Sequence, residues 1–459
     1  MQRTLLCLLI LNLIFGISFQ STLAQQRTKA KIPVVLLSID GMKPDYILEA
    51  DKLGLKIPNL RRLVKEGAFA TGVKGMMPTV TYPSHTTMVT GVAPARHGIY
   101  ANSPFDPFSK NQGGWMWYAE DIKALTLWEA VNHAGMKSSS VDWPVTVGAN
   151  ITFNIAQIWR ASTAEDRKLL RAVSTKGLLT EVEKAVGNYP EGYDYSIKAE
   201  RQRSAINSYI LENKKPNFHT GYFSALDEEQ HSHGPYSKET YQTLEELDEL
   251  IGNVRASAEK AGNGRAYFCV VSDHGFFKLN KEVRLNFALR EAGLIELDEK
   301  GKLKSWRAII WNSGATSAVI LKDPNDRETK NKVRDILTRL VADEKSGVYK
   351  FFEGEELNQT GGFPNAAFIV CTKPEHYISG NFEGPITVGR LPGGGHGFLA
   401  DFPEMNSAFF IVGPGIQAGK NLGVIDMRDI APTLASLLGV KLPNAEGRNV
   451  LLINRSAKP

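Results

Sequence analysis

Three aspartates and three histidines stand where they could hold metal ions. Asp40 ends the apolar run IPVVLLSID, Asp227 follows NFHTGYFSAL, and Asp273 follows RAYFCVVS. His231 comes four residues after Asp227 in DEEQHSHGP, and His274 directly follows Asp273 in SDHGF. His396 stands in LPGGGHGF, where glycines let the backbone crowd a site. A lone aspartate after a strand is ordinarily a turn or helix cap; this many ligand-type residues at strand ends have no comparable structural reading. Carboxylates and imidazoles form a hard-to-borderline donor set that suits two divalent ions, zinc first among them. Two cations about 4 Å apart would clamp the attacking and leaving oxygens of an in-line phosphoryl displacement. His233 or His376 is expected at the surface. A second stretch, MPTVTYPSHTTMVTG from Met77 to Gly91, carries five threonines and a serine. One of these hydroxyls could be the nucleophile, given a dication to lower its pKa.

The elements that must position these groups follow from periodicity. IPVVLLSID is continuously apolar, which implies burial on both faces and a parallel sheet. NFHTGYFSALD and RAYFCVVSDHG repeat that pattern of apolar residues closed by an acidic one. Between them Tyr241, Leu244, Leu247, Leu250, Ile251 and Val254 recur at helical spacing. IPNLRRLVKEG, ALTLWEAVNHAG, NKVRDILTRLVADE and RDIAPTLASLLG are further helical candidates, and SAFFIVGPG is the expected last core strand. Strands alternating with helices predict a doubly wound α/β fold with a mostly parallel central sheet flanked by helices. Open sheets of this kind bind ligands at the carboxyl ends of their strands, where the three aspartates fall. Residues 279–394 break the rhythm and are expected to form a small inserted, cap-like subdomain between core segments 30–278 and 395–452.

Of the 459 residues, 42% are hydrophobic and 22% charged, and the net charge of +5 is dispersed. There is no long Lys/Arg run, hence no support for a nucleic-acid-binding module. Residues 1–24 read as a signal peptide: Arg3, an apolar run from Leu5 to Ile17, then Thr22 and Ala24 placed like a cleavage site. That run is shorter than the ~20 residues of a spanning helix, and no later segment is long and apolar enough. The expected product is exported, periplasmic or extracellular, with no membrane span in the mature chain. Cys269 and Cys371 lie in apolar strand-like runs; free buried thiols are expected, with pairing left open.

SIDGMKPDY, PTVTYPSHTTMVTG, HGIYAN, DEEQHSHGP, SDHGF and GGGHGF, in that order, resemble the alkaline phosphatase superfamily. Within it, the closest match is the type I phosphodiesterase/nucleotide pyrophosphatase family, and the likeness runs from about Val34 to Leu451. It implies an alkaline-phosphatase-like fold and hydrolysis of phosphodiester or nucleotide pyrophosphate bonds. It makes Thr81 the nucleophile, attacking phosphorus to form a phospho-threonine intermediate that water then hydrolyses. A hydroxyl at a helix start, as PSHTTMVTG suggests here, faces free N–H groups that favour phosphate. Thr79 and Ser84 read as cap or turn groups, and Thr86, Thr87 and Thr90 as residues of the helix. The resemblance places Asp227, His231 and His396 on one metal, and Asp40, Asp273, His274 and the Thr81 oxygen on the other. Asn102 matches an amide donor to phosphate, an oxyanion-hole role. His85 and His97 match no ligand and are expected to pack or cap. Tyr82 and Tyr222 match rings that sandwich a nucleobase, and Trp143 matches a tryptophan lining the same pocket. The chain departs from the family in having PSH for PNH and WPVT for WPGS.

Three rival functions share parts of this reading. A phosphomonoesterase would use the same bimetal core, but no Lys or Arg stands inside the motifs around Thr81 and Asn102 to meet a more highly charged phosphate. A sulfatase would need a modifiable cysteine or serine before an arginine, and Tyr82-Pro83-Ser84-His85 follows Thr81 instead. A non-catalytic binding protein would be expected to lack a ligand, and none of the matched ligands is missing.

Overall fold

The computed structural model describes residues 32–111, 113–160, 163–190 and 194–451. The expected signal peptide lies outside them. Eight strands build the main sheet: β1 (Val34–Ile39), β2 (Ala68–Phe69), β3 (Ser138–Val141), β4 (Phe153–Ile155), β5 (Phe218–Phe223), β6 (Tyr267–Val271), β7 (Phe409–Val412) and β8 (Lys420–Asn421). Their spatial order is β8-β2-β7-β6-β1-β5-β3-β4. β6, β1, β5, β3 and β4 run parallel in a continuous block. β7, the strand read from SAFFIVGPG, pairs antiparallel with both β6 and β2, so the sheet is mixed.

The absence of polar alternation in β1 has the expected cause, since both faces of the strand are covered. Val34 and Leu36 pack on one side with Val271, Met88 and Val89; the last two belong to helix α1 (Thr81–Thr90). Val35, Leu37 and Ile39 pack on the other side against Leu244, Leu247, Leu250, Ile251 and Val254. Those five lie on a 24-residue helix, Lys238–Ala261, started by Ser237, whose hydroxyl accepts from Thr240 N–H. Burying each such side chain contributes about 1.5–3 kcal/mol relative to exposure, so the site rests on a scaffold packed from both sides. Helix α2 (Ile197–Lys214) precedes β5, and helix α3 (Ala225–His233) follows it after one intervening residue.

Beyond β6, a three-stranded sheet joins Glu375–Ile378, Phe277–Val283 and Thr387–Gly395. A four-stranded antiparallel sheet joins Ala308–Ser313, Thr316–Leu321, Phe368–Thr372 and Val348–Phe352, with helix Arg327–Ala342 packed on it. The expected subdomain limits at 279 and 394 fall within Phe277–Val283 and Thr387–Gly395, two strands that pair with each other.

Cys269 lies in β6 and Cys371 in the four-stranded sheet, both without solvent exposure and both free. Burial raises the Cys269 thiol well above its ordinary range and pushes that of Cys371 up to about 12. Neither should react with a thiol reagent in the native protein, and both should be alkylated after denaturation without reductant. Labelling that required reductant would point to a disulfide instead.

Candidate active site

The parallel strands deliver their carboxylates to one edge. Asp40 follows β1 directly, with its N–H donating to Phe223 O at 2.9 Å, and Asp273 lies two residues beyond β6. Asp227 sits in the first turn of α3, and His231 one turn later on the same helix. Gly41 allows this close approach. Its φ is +67°, a Cβ there would lie 2.6 Å from the Phe276 ring, and its N–H donates to Asp273 Oδ1 at 3.0 Å. The glycines before His396 act similarly: a Cβ on Gly393 would meet His231 O at 2.4 Å, and one on Gly394 would meet Gln230 O at 2.3 Å. Glycine is therefore what lets the strand carrying His396 lie against the backbone of α3.

All three ligand-type histidines are oriented alike. Nδ1–H of His231 donates to Gly394 O at 3.1 Å, that of His274 to Gly275 O at 3.3 Å, and that of His396 to Thr79 O at 3.3 Å. Such carbonyl contacts fix the tautomer and turn each Nε2 lone pair the other way. Those nitrogens face carboxylates. His231 Nε2 is 3.3 Å from Asp227 Oδ2, and His396 Nε2 is 3.8 Å from Asp227 Oδ1. His274 Nε2 is 3.3 Å from Asp40 Oδ1 and 3.2 Å from Asp273 Oδ2. Asp40 Oδ1, Asp227 Oδ1, Asp273 Oδ2 and His274 Nε2 are buried and have no hydrogen-bond partner. Lone pairs aimed at lone pairs, in a buried setting, are what a cation between them would satisfy, so the residues fit a metal site. Two triads have donor atoms within 4.8 Å of one another: Asp227, His274 and His396, and Asp40, Asp273 and His274. His274 thus stands in both, stacked on His396 with ring centroids 3.6 Å apart.

The protonation equilibria record the strain of so much unneutralised charge. Burial, together with Asp227 and Asp273, raises Asp40 well above the carboxylate range; burial also raises Asp273. Burial depresses His274 well below the imidazole range and brings His396 to about 4. His231 goes the other way: burial works against its charge, but Asp227 overrides it and lifts it to about 9. Asp227 is correspondingly held low, the pull of its histidine neighbours exceeding the effect of burial.

Thr81 is the first residue of α1 and is 4% exposed. The other hydroxyls of the stretch are committed or enclosed. Thr79 Oγ donates to Phe398 O, Thr86 to Tyr82 O, Thr90 to Thr86 O, and Thr87 contacts His97 Nε2. Ser84 Oγ is buried without a partner. His85 Nδ1–H donates to Thr81 O at 2.8 Å, Ser38 Oγ donates to its Nε2, and its ring lies 3.7 Å from Asp273 Oδ2. Burial brings the His85 pKa to about 3, so it is a neutral brace linking the start of α1 to the ligand cluster. Asn102 Oδ1 accepts from Tyr82 N–H at 2.9 Å, beside Thr81. His376 is buried, and its Nδ1–H donates to Pro374 O; His233 is half exposed.

The three aromatics matched to a nucleobase pocket are enclosed in this structure. Tyr82, Trp143 and Tyr222 all have 0% exposure and offer no open slot. The Tyr222 hydroxyl donates to Asp40 Oδ2, and that of Tyr82 to Gln157 Oε1 at 2.6 Å. Trp143 packs edge-on against His85 with centroids 4.8 Å apart. Trp159 neighbours both tyrosines, edge-on to Tyr82 at 6.2 Å and tilted by 31° to Tyr222 at 6.4 Å.

Sequence reasoning also missed a buried ion cluster behind the site. Glu200 Oε1 accepts from Ser224 N–H, Ser224 Oγ–H and Ala225 N–H at 2.7, 3.2 and 3.0 Å, which caps the N-terminus of α3. Its other oxygen pairs with Arg203 at 3.3 Å, and Arg203 Nε lies 3.0 Å from Asp142 Oδ2. Asp142, at φ +59°, directly precedes Trp143, and its carbonyl accepts from Gln157. No local pattern marks these residues, because α2 brings them together over long range. Glu200→Ala would leave Arg203 half paired and the start of α3 uncapped, at an expected cost of about 3–5 kcal/mol in denaturant unfolding. Zinc affinity should fall roughly 10–100-fold, because α3 carries Asp227 and His231. Glu200→Gln, which keeps one acceptor oxygen, should recover part of both. Lost stability with unchanged zinc affinity would limit Glu200 to a structural role.

Comparison with known proteins agrees with this geometry. Relatives include ectonucleotide pyrophosphatase/phosphodiesterase family member 1 of Mus musculus, 26% identical over 53% of this chain and 24% of that one. The Rattus norvegicus protein of the same name is 22% identical over 91% of this chain and 42% of that one, so the chain spans less than half the length of either. Human bis(5'-adenosyl)-triphosphatase ENPP4 is 23% identical over 89% of this chain and 78% of its own. Among solved structures, an inactive variant of murine ectonucleotide pyrophosphatase/phosphodiesterase 5 in complex with AMP superposes with a TM-score of 0.67 at 20% identity. The match covers 92% of this chain and 99% of that one, which establishes the α/β fold. The profile of the type I phosphodiesterase / nucleotide pyrophosphatase family matches residues 34–398, and the chain belongs to that family.

Proposed function

We propose that this protein is an exported hydrolase of phosphodiester or nucleotide pyrophosphate bonds that works through a phospho-threonine intermediate. The observation that carries the reading is the set of buried carboxylate oxygens and imidazole Nε2 atoms aimed at one another near the start of α1, where His85 joins the Thr81 carbonyl to the Asp273 carboxylate. Asp227, His231 and His396 would hold one divalent cation; Asp40, Asp273, His274 and Thr81 Oγ would hold the other, zinc being the best fit to the donors. Bound there, the pair would supply Lewis acidity and lower the pKa of a hydroxyl or water. Geometry supports His274 as a donor for either set.

The remaining roles belong to the chain's own groups. Thr81 attacks phosphorus, the ester oxygen opposite departs, and water later cleaves the threonine phosphate with inversion of the same geometry. Asn102 gives its carbonyl oxygen to Tyr82 N–H, which leaves its NH2 group to donate to a phosphate oxygen as negative charge grows there. The first turn of α1 offers its N-terminal dipole to the same anion. His85 anchors the Thr81 carbonyl and so keeps the helix start from shifting when Thr81 carries phosphate. Export rests on residues 1–24, and the names of the mouse and rat relatives mark them as ectoenzymes.

A phosphomonoesterase is the second reading. The sequence around Thr81 favours diesters, since no Lys or Arg stands inside the motifs around Thr81 and Asn102. The zinc-loaded protein should cleave a nitrophenyl nucleotide diester in preference to nitrophenyl phosphate; a strong monoester preference would overturn the assignment. Thr81→Ala should lower kcat by at least about 10³-fold. Chelation should abolish turnover and lower the melting temperature, and zinc should restore both. Purified protein should hold about two zinc ions per chain. Retained activity after full chelation would sink the bimetal reading.

A further inference from the structure

A buried glutamine joins the two ligand sets. Gln230 lies on α3 three residues after Asp227 and directly before His231. Its Nε2–H donates to Gly41 O at 2.9 Å, and its Oε1 accepts from the Tyr46 hydroxyl at 2.7 Å. Both partners belong to the segment that follows β1, 189 and 184 residues away in sequence. The amide is fixed from both ends. Gly41 O can only accept, so it takes an Nε2 proton. The Tyr46 oxygen accepts from Tyr236 N–H at 3.2 Å, which leaves its own proton for Oε1. Neither Gln230 nor Tyr46 has any exposed surface, so a flipped amide would lose both bonds with no water to replace them.

Gly41 is thereby held on two sides. Its C=O is bound to Gln230, and its N–H to Asp273 Oδ1 at 3.0 Å. Asp40 directly precedes it, and the other Asp273 oxygen, Oδ2, faces His274 Nε2 at 3.2 Å. The main chain of Gln230 adds a third contact. A Cβ on Gly394, whose carbonyl orients His231, would lie 2.3 Å from Gln230 O. One residue thus meets the loop of Asp40 and the strand leading to His396, from the helix that bears Asp227 and His231. A side chain kept only to fill space would need no such partners, since leucine or methionine fills a similar volume without a buried amide to satisfy.

We infer, on the bimetal reading above, that Gln230 is a positioning residue that ties the two metal positions together. Through Gly41 it holds Asp40 and Asp273 at the spacing set by Asp227 and His231, and Tyr46 holds its amide in the orientation this requires. Loss of the link should therefore weaken the position of Asp40, Asp273 and His274 as well as the position of Asp227, His231 and His396, although none of the first three lies on α3.

The test is a zinc titration of the metal-free full-length protein against a chromophoric chelator. Two stepwise binding constants are read for wild type, Gln230→Met and Tyr46→Phe, with the melting temperature of each metal-free protein beside them. Gln230→Met keeps the length of the side chain and loses both bonds, and it should weaken both constants roughly 10-fold or more. Tyr46→Phe removes one hydroxyl from the other end of the link and should weaken both by a smaller factor. Gln230→Met decides where it folds, and Tyr46→Phe where it does not. A fall in one constant alone would confine Gln230 to α3, and unchanged constants beside a lowered melting temperature would make it a packing residue; either result overturns the proposal. Wild-type protein that binds fewer than about two zinc ions per chain brings down the bimetal reading and this inference with it. Two ions bound by wild type, with constants that the variants leave unchanged, brings down this inference alone.

Discussion

Negative charge collected at the ends of parallel strands is the constraint that the rest of this structure answers. Asp40 and Asp273 reach the same point because β1 and β6 are neighbours in register, Ser38 opposite Val271. Donor atoms of Asp40 and Asp273, which share a triad with His274, lie within 4.8 Å of each other. At that separation two full negative charges repel by roughly 3 kcal/mol even at an effective dielectric of ~20. A fold stabilised by only about 5–15 kcal/mol cannot hold several such contacts without compensation. The compensation comes partly from the chain: Gly41 N–H donates to Asp273, the Tyr222 hydroxyl to Asp40, and Asp227 lies in the first turn of α3, where the helix dipole favours an anion. What these contacts leave over is the unpaired set of oxygens and nitrogens that calls for cations.

The same constraint explains the arrangement around the cluster. Each ligand histidine spends its Nδ1–H on a main-chain carbonyl, so three distant segments, Gly394, Gly275 and Thr79, set the directions of three imidazoles. The carbonyl that orients His396 belongs to Thr79, two residues before Thr81, and Thr79 O also accepts from Gly397 N–H at 3.0 Å. The helix start and the His396 loop are thereby stitched together. Placement of Thr81 and placement of His396 are therefore linked.

Much of this was legible in the sequence, and the reason is local. An uninterrupted apolar run closed by aspartate reports both a buried parallel strand and the edge at which its carboxylate emerges, and Asp40 and Asp273 stand in such runs. Asp227 and His231, four apart, announce one face of a helix. The helical periods from Tyr241 to Val254 appear as the long helix that covers the sheet. The antiparallel entry of β7 was not legible, because Phe409–Val412 is as apolar as its parallel neighbours and carries no sign of direction. Nor was the double position of His274, which depends on the stacking of His274 on His396 across 122 residues of sequence. Glu200, Arg203 and Asp142 look like ordinary surface charges in the sequence; only the packing of α2 behind β5 makes them a buried cluster.

Tyr222 shows how much the packing adds to what a residue's place in the sequence tells. Its position five residues before Asp227 marks it as part of the site, and it is part of the site, but its hydroxyl is bound to Asp40 and its ring lies under Trp159. That hydroxyl ties the residue after β1 to the neighbouring strand β5, on which Tyr222 stands. Tyr82 is divided in the same way between Gln157, through its hydroxyl, and Asn102, through its N–H. Both tyrosines therefore brace their surroundings, Tyr222 through Asp40 and Tyr82 through Gln157 and Asn102. Trp159 and Trp115 lie on irregular backbone, whereas Asp40 and Asp273 stand just past strand ends, so the two indoles can change without disturbing the sheet that places the aspartates.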